Sequence, residues 1–378
     1  MMLNELQNMI RDAARDFAQG KVLSGAEKRD QEGEFPHDLM IEMGRLGLMG
    51  MTVPEEWGGS GAGYLAMAVA IEEIAAADGA LSTVMSVQNS LFCSALLRFG
   101  DGALKVRFLK PSARGEKLGA FGLTEAQAGS DAAAIRTIAK KDGGHYILNG
   151  GKQFITSGKH ADLTLVFAVT DPEKGKKGMS AFVVPTDTPG YIVSRIEHKM
   201  GQNGSDTAQL VFENMRIPVH CLLGAEGEGY KIALANLEGG RIGIGAQSVG
   251  MARAAYEAAL AYAKERRSFG KSLIEHQAVG FRLAEMATRL EAARLMVHHA
   301  ASLRDENLPC LKEACMGKLF ASEAAEWICR QAIQVLGGYG YLQDFPVERI
   351  YRDVRVCSIY EGTSDIQKII ISREIAKS

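Results

Sequence analysis

The period of the apolar residues changes twice along this chain, and that change limits the possible folds more than any single motif. Up to about residue 116 apolar residues recur three and four apart, as in Met40, Met43 and Leu46 and again in Val69, Ile71 and Ile74, which is the spacing of one helix face. Residues 52–63 (TVPEEWGGSGAG) interrupt this block with Pro54 and a run of glycines, the mark of a structured loop, and residues 80–99 resume the helix. From about 117 to 222 the segments HYILNGGKQFIT, LTLVFAVT, MSAFVVPT, YIVSRIE and AQLVFENMRI are short, β-branched or aromatic, and separated by turn residues such as Asp142-Gly143-Gly144 and Pro189-Gly190. Such strands without intervening helices predict an antiparallel sandwich or barrel rather than a doubly wound sheet. No GxGxxG follows a strand there, so the usual nicotinamide-dinucleotide cradle is missing. From 228 onward the helical period returns, and Val279, Leu283, Met286, Leu290, Ala293 and Val297 trace the seam of a packed bundle helix. The expectation is an α+β multi-domain chain: an N-terminal α-helical domain (1–116), a middle antiparallel β domain (117–227) and a C-terminal four-helix bundle domain (228–378).

Charge and cysteine usage narrow the function. With 43 basic and 45 acidic residues the net charge is −2, so no global basic field exists to attract nucleic acid. No run of about 18 uncharged apolar residues predicts a membrane span. The first residues carry Glu5, Asp12 and Asp16 and no basic stretch leading into an apolar block, so they read as a helix of the fold and not as a secretory signal. The cysteines show no CxxC pair or zinc-ligand spacing, and the histidines no HExxH, so reduced thiols in a cytosol-like compartment and no metal site are expected. The compartment is then a bacterial cytoplasm, or a mitochondrial matrix for a eukaryotic chain.

Three segments could carry chemistry. Residues 121–131 (FGLTEAQAGSD) bring Thr124, Ser130 and the amides around Gly129 together, either as a cradle for a polar ligand or as a strand exit closed by side-chain turns. Residues 334–344 (QVLGGYGYLQD) place Gly337-Gly338 after an apolar helix face, which by itself is a helix C-cap. Residues 359–367 (IYEGTSDIQ) set Glu361 between an aromatic residue and a glycine, before a helix that Thr363 or Ser364 can N-cap; the carboxylate is either a functional group or a solvated loop residue.

Taken in order and spacing, these segments make the sequence resemble the acyl-CoA dehydrogenase family of flavoenzymes over essentially its whole length. GLTEAQAGSD is similar to the family's first signature, QVLGGYGYLQDFPVERIYRD to its second, and IYEGTSDIQ to its catalytic segment. The resemblance implies a non-covalent FAD between the sheet domain and the last helical domain, and α,β-dehydrogenation of an acyl-CoA, as in fatty-acid β-oxidation. Phe121, Leu123, Thr124, Gly129 and Ser130 would line the flavin, as would Phe154, Ile155 and Thr156, which match the family's Trp-Ile-Thr. Arg266, Phe269 and Gln277 would hold the diphosphate and adenosine of a neighbouring subunit's cofactor. Gln334, Val335, Leu336, Gly337 and Gly338 would approach it across the dimer, and Thr363, Ser364 and Asp365 would complete the site. Glu361 would be the base that removes the α-proton, and Ser130, Glu238, Arg241, Tyr360 and Gly362 would contact substrate.

Two departures from the family pattern stand out: Phe154 replaces an indole, and Ala126-Gln127 replaces Pro-Gly. In family branches that place the base elsewhere, it precedes an arginine at a position held here by Gly240, which leaves Glu361 as the base. The stretch SVQNSLFCSALLRFG is closest to short-chain, butyryl-CoA-type members and lacks the arginine of glutaryl-type members. The implied partners are a short straight or branched acyl-CoA, electron-transfer flavoprotein and further copies in a homotetramer built as a dimer of dimers. The competing readings are an acyl-CoA oxidase-like enzyme that reduces oxygen and a catalytically silent CoA-binding scaffold.

Overall fold

The structure is a computed structural model that describes residues 2–377. Its N-terminal block is built around the helix Gly63–Ala77, buried over nearly its whole length, as expected of a helix apolar all round. Two carboxylates on that helix still need partners. Glu73 is clamped by Arg15 (2.9 Å) and Arg253 (2.6 Å), and Glu72 by Arg294 (2.7 Å), so arginines from both helical blocks converge on one buried helix. The same helix has no capping side chain of its own. Asp305, far along the chain, accepts from the amides of Tyr64 (2.6 Å) and Leu65 (2.9 Å) and satisfies two of its orphan donors.

Residues Gly79–Phe99 form one continuous helix, long and apolar enough to cross a membrane yet almost wholly buried in the protein. Asp78 caps its start through Ala80 N (2.9 Å), and the cap carboxylate also pairs with the buried Arg29 at 2.9 Å. Midway, Val87–Cys93 adopts a π-helical turn. The turn carries polar side chains that tie neighbouring loops: Asn89 accepts from Met51 N (2.7 Å) and donates to Leu48 O (2.8 Å), while Gln88 accepts from Gly119 N (2.8 Å). These bonds are why Gln and Asn sit in an otherwise apolar core helix.

The middle block is an eight-stranded sheet: β1 (Gly119–Gly122), β2 (Ile138–Asp142), β3 (His145–Thr156), β4 (Leu163–Val169), β5 (Met179–Pro185), β6 (Tyr191–Ile196), β7 (Thr207–Pro218) and β8 (Leu222–Leu223). Its order is β6-β7-β3-β2-β4-β5-β8. It is antiparallel except that β1 runs parallel to β4 over four residue pairs and β2 touches β4 in parallel through Ile138 and Val169. The parallel β1–β4 pairing arises because β1 comes directly off the helical block and reaches β4 by a long crossover.

The last block holds three long helices, Gly229–Glu265, Gln277–Asp305 and Leu311–Leu336, followed by Pro346–Val354 and Ser364–Ile375. Leu283, Met286, Leu290, Ala293 and Val297 are buried along the second, as their spacing predicts. Replacing Asp78 with Ala removes a cap and strands a buried guanidinium, so we expect a loss of about 3–5 kcal/mol in denaturant unfolding, with Asp78→Asn, which keeps a cap acceptor, losing less.

Candidate active site

The first wall of the site forms where β1 and β3 end side by side. Lys152 on β3 is fully buried and binds Glu125 at 2.7 Å, and Glu125 also accepts from the amides of Arg136 (2.6 Å) and Thr137 (3.0 Å) and from Gln127 Nε2 (2.8 Å). Burial alone would raise the Glu125 carboxyl; the Lys152 ammonium and these donors instead hold it down at about 2. This fully bonded carboxylate folds residues 123–137 into one loop, and Gln127, of the Ala126-Gln127 pair, takes part through its side chain. At the end of β3 the register against β7 slips between Lys152 and Ile155. The bulge turns Phe154 outward at φ 59°, leaving it 63% exposed, and sends Ile155 into the core.

The second wall carries Glu361 on a left-handed turn, with φ 54° at Glu361 and 85° at Gly362. The turn's carbonyls face inward. Gln367 Nε2 donates to Glu361 O (3.0 Å) and Gly362 O (2.8 Å), and Lys318 Nζ donates to Gly362 O (2.8 Å). Thr363 N-caps the following helix through Ile366 N (3.3 Å). The Tyr360 hydroxyl anchors the other side: it bonds Gln247 and lies 3.3 Å from Gln202 Nε2 and 3.4 Å from Thr83 Oγ1. Those three partners come from the last, middle and first blocks.

The Glu361 carboxyl lies against Gly240 of the long helix. A Cβ at 240 would fall 2.6 Å from Oε2 and 2.9 Å from Oε1, so glycine there is what admits the carboxyl group. Oε2 is enclosed and has no hydrogen-bond partner among the described residues. Burial pushes the carboxyl up to about 7, against the opposing charges of Arg241 and Lys318. Arg241 is itself 4% exposed and has an unpartnered Nε.

Two adjoining cavities meet at this residue. One, of about 650 Å³, runs between Val87 and Leu91 on one side and Leu237 and Ile244 on the other and reaches Lys176, Arg373 and Lys377. The second, of about 610 Å³, extends past Gln202, Arg355 and Thr363. Thr124, Gly129, Ser130, Phe154, Thr156, Tyr360, Glu361 and Gly362 line both, while Phe121, Leu123 and Arg241 line the first. A separate groove of about 560 Å³ gathers Arg266, Val335, Leu336, Gly337 and Gly338, with the Arg266 guanidinium 5.8 Å from the Tyr339 ring centre. Phe269 projects from the small β-hairpin before it at 96% exposure, and Gln277, Gln334 and Asp365 are exposed. The structure therefore does not bring Phe269, Gln277, Gln334, Ser364 or Asp365 to the Glu361 cavities within one chain. Glu238 does not line them either: it accepts from Cys310 Sγ (2.8 Å) and pairs with Arg304 (3.3 Å). Lys152, Lys318, Gln367, Gln202 and Gln247 escaped the sequence reading; the only signal for Lys318 was a single cation in the small, apolar stretch ACMGKLFASEAA.

Because burial raises the Glu361 carboxyl above its ordinary value of 4.5, its ionisation costs folding stability as pH rises from there through about 7. Glu361→Gln is expected to melt like the parent near pH 4.5 and to be more stable by about 2 kcal/mol above pH 7, read from thermal midpoints across that range.

Comparison with known proteins agrees with this geometry. The chain matches the models of the acyl-CoA dehydrogenase N-terminal domain over residues 4–116, middle domain over 120–215 and C-terminal domain over 227–376. It is 46% identical to the mitochondrial short-chain specific acyl-CoA dehydrogenase of Mus musculus over 376 residues, covering 100% of this chain and 91% of that one. Butyryl-CoA dehydrogenase from Megasphaera elsdenii superposes with a TM-score of 0.98 at 40% identity, covering 100% of this chain and 99% of that one. A chain from the structure reported for the electron-transferring flavoprotein of Acidaminococcus fermentans superposes at 0.99 with 44% identity, covering 100% of both. Matched in every block and end to end, this chain belongs to the acyl-CoA dehydrogenase family of oxidoreductases.

Proposed function

We propose that the protein converts a short-chain acyl-CoA to the trans-2-enoyl-CoA, with Glu361 as the base. The observation that carries this reading is the Glu361 carboxyl, enclosed and unpartnered at Oε2, at the junction of two cavities. FAD is the cofactor, and the residues present fit it. Phe154 offers an exposed flat ring beside Thr124 and Thr156, and a Cβ at Gly129 would meet nothing within 4 Å, so backbone is open to a ligand there. Arg266, Gly337 and Gly338 offer a basic groove for a diphosphate, and Phe269, Gln277 and Gln334 stand exposed around it, an arrangement suited to a cofactor shared between subunits. When bound, FAD supplies the acceptor for the hydride leaving the β-carbon.

The chain's own residues do the rest. An α C–H is acidified only when negative charge on its thioester oxygen is stabilised. The Glu361 amide has no acceptor among the described residues, and the carbonyls beside it are drawn inward by Gln367 and Lys318, which leaves that amide free to donate to the thioester oxygen. The carboxyl takes the α-proton. Its raised pKa matches base strength to neutral pH, and an acyl chain between Leu91 and Ile244 excludes further water. Lys176, Arg373 and Lys377 line the same cavity, Lys377 paired with Glu374, and leave it a net basic character suited to CoA phosphates. The likeness to the Acidaminococcus chain supports electron-transfer flavoprotein as the acceptor of the electrons, and exposed apolar residues such as Phe281 and Leu295 on the helix Gln277–Asp305 support assembly as a homotetramer.

Glu361→Gln should lower turnover by about 10²–10⁴ while FAD remains bound; a near-normal rate would reject the assignment. Gly240→Ala, which intrudes on the carboxyl's place without removing it, should also depress turnover with the cofactor retained. Among straight acyl-CoAs of increasing length, the four-carbon substrate is expected to bleach the anaerobic yellow protein fastest, and a maximum at long chains would contradict the short-chain reading.

A further inference from the structure

Among the described residues two lysines are fully buried, Lys152 and Lys318, and they differ in partner. Lys152 has a carboxylate at 2.7 Å. Lys318, on the helix Leu311–Leu336, donates only to the Gly362 carbonyl at 2.8 Å and has no ion-pair partner among the described residues. An ammonium buried against one neutral acceptor is costly, and burial lowers its pKa to about 8. A neutral side chain could fill the same space at less cost.

The surroundings of Lys318 show what the charge acts on. The groups that face it are Glu361, Arg241 from the long helix, Cys315 on its own helix and Cys357 just before the turn. Burial raises both thiols, and it raises the Tyr360 phenol too, so these are neutral near pH 7. Asp353 lies behind Cys357, its carboxyl raised by burial and engaged with Gln202 N. The Glu361 carboxyl is therefore the anionic group that Lys318 and Arg241 both favour. The Gly362 carbonyl has a second donor, Gln367 Nε2, at the same 2.8 Å, so the hydrogen bond from Lys318 is duplicated by a neutral group and its charge is not.

We infer that Lys318 is a positioning residue for Glu361: it holds the Gly362 carbonyl inward, so that the turn presents its amide to the cavity, and its charge keeps the neighbouring carboxylate ionised. The inference rests on Glu361 being the base. It assigns the charge to Lys318 and Arg241, and the shape of the turn to Lys318 and Gln367 together.

The test compares holoenzymes carrying Lys318→Met and Gln367→Ala. In Lys318→Met the acid limb of the kcat/KM profile should move up by about one pH unit, so that activity is about five-fold low at pH 7 and largely regained at pH 9. Gln367→Ala, which removes hydrogen bonds and no charge, should lower kcat with the limb in place. A second readout needs no turnover: the gap in thermal midpoint between Glu361→Gln and its Glu361 parent opens near pH 4.5 in either background, and the pH at which it stops widening should rise by the same unit when Lys318 is Met. If the methionine protein loses FAD, Lys318→Gln serves, with the same shift expected. An unmoved limb and an unmoved levelling-off of the stability gap, or an equal movement in Gln367→Ala, would overturn the inference. Full activity in Glu361→Gln would instead reject the base assignment itself, so the two failures are distinguishable.

Discussion

The structure depends on a left-handed turn two residues long. A non-glycine residue in that conformation costs on the order of 1 kcal/mol, and Glu361 is held there because its own carbonyl and that of Gly362 are bonded from behind by Gln367 and Lys318. The turn fixes two things at once. It directs an amide and a carboxyl into the same cavity, and it places Tyr360 where its hydroxyl meets Thr83, Gln202 and Gln247. Because those three side chains come from three blocks of the chain, the geometry of the site is set by how the blocks dock. The Arg15, Arg253 and Arg294 pairs with Glu72 and Glu73, and the cap that Asp305 places on the helix Gly63–Ala77, hold the helical blocks in that arrangement.

The electrostatics of the turn is a balance. Enclosure makes the carboxyl a stronger base than a glutamate in water, and without opposing charge it would stay protonated at neutral pH and could not accept a proton. Arg241 and Lys318 offset part of that effect and leave the group near 7. The arrangement is unfavourable for folding, with an unpartnered carboxyl oxygen, an unpaired lysine and an orphaned guanidinium nitrogen gathered at one place. Such a concentration of unsatisfied polar groups in a well-packed protein marks a site adapted to reaction rather than to stability.

Much of this was legible in the sequence. The change of apolar period gave the order of the blocks, and the spacing from Leu283 to Val297 gave a core-facing seam. Glu361 next to Gly362 and ahead of Thr363 gave the turn and the cap. The rest was hidden for physical reasons. The π-helical turn at Val87–Cys93 depends on tertiary bonds from Gln88 and Asn89 that no local propensity encodes. The parallel pairing of β1 with β4 depends on where the preceding helices end. Lys318 and Gln367 act through backbone carbonyls, which leave no mark in a side-chain pattern. Gly240 and Glu361 are distant in sequence, and only the fold shows that one vacates the place the other fills. Glu238, two residues before that glycine, was expected at the substrate and instead pairs with Arg304.

A crystal structure of the FAD-loaded protein with a non-reacting four-carbon acyl-CoA analogue tests the central claim most directly. The account predicts the Glu361 amide nitrogen within about 2.7–3.1 Å of the thioester oxygen and a carboxyl oxygen of the same residue about 3–3.5 Å from the α-carbon. A thioester oxygen held by other donors, with the Glu361 carboxyl turned away from the acyl chain, would contradict it.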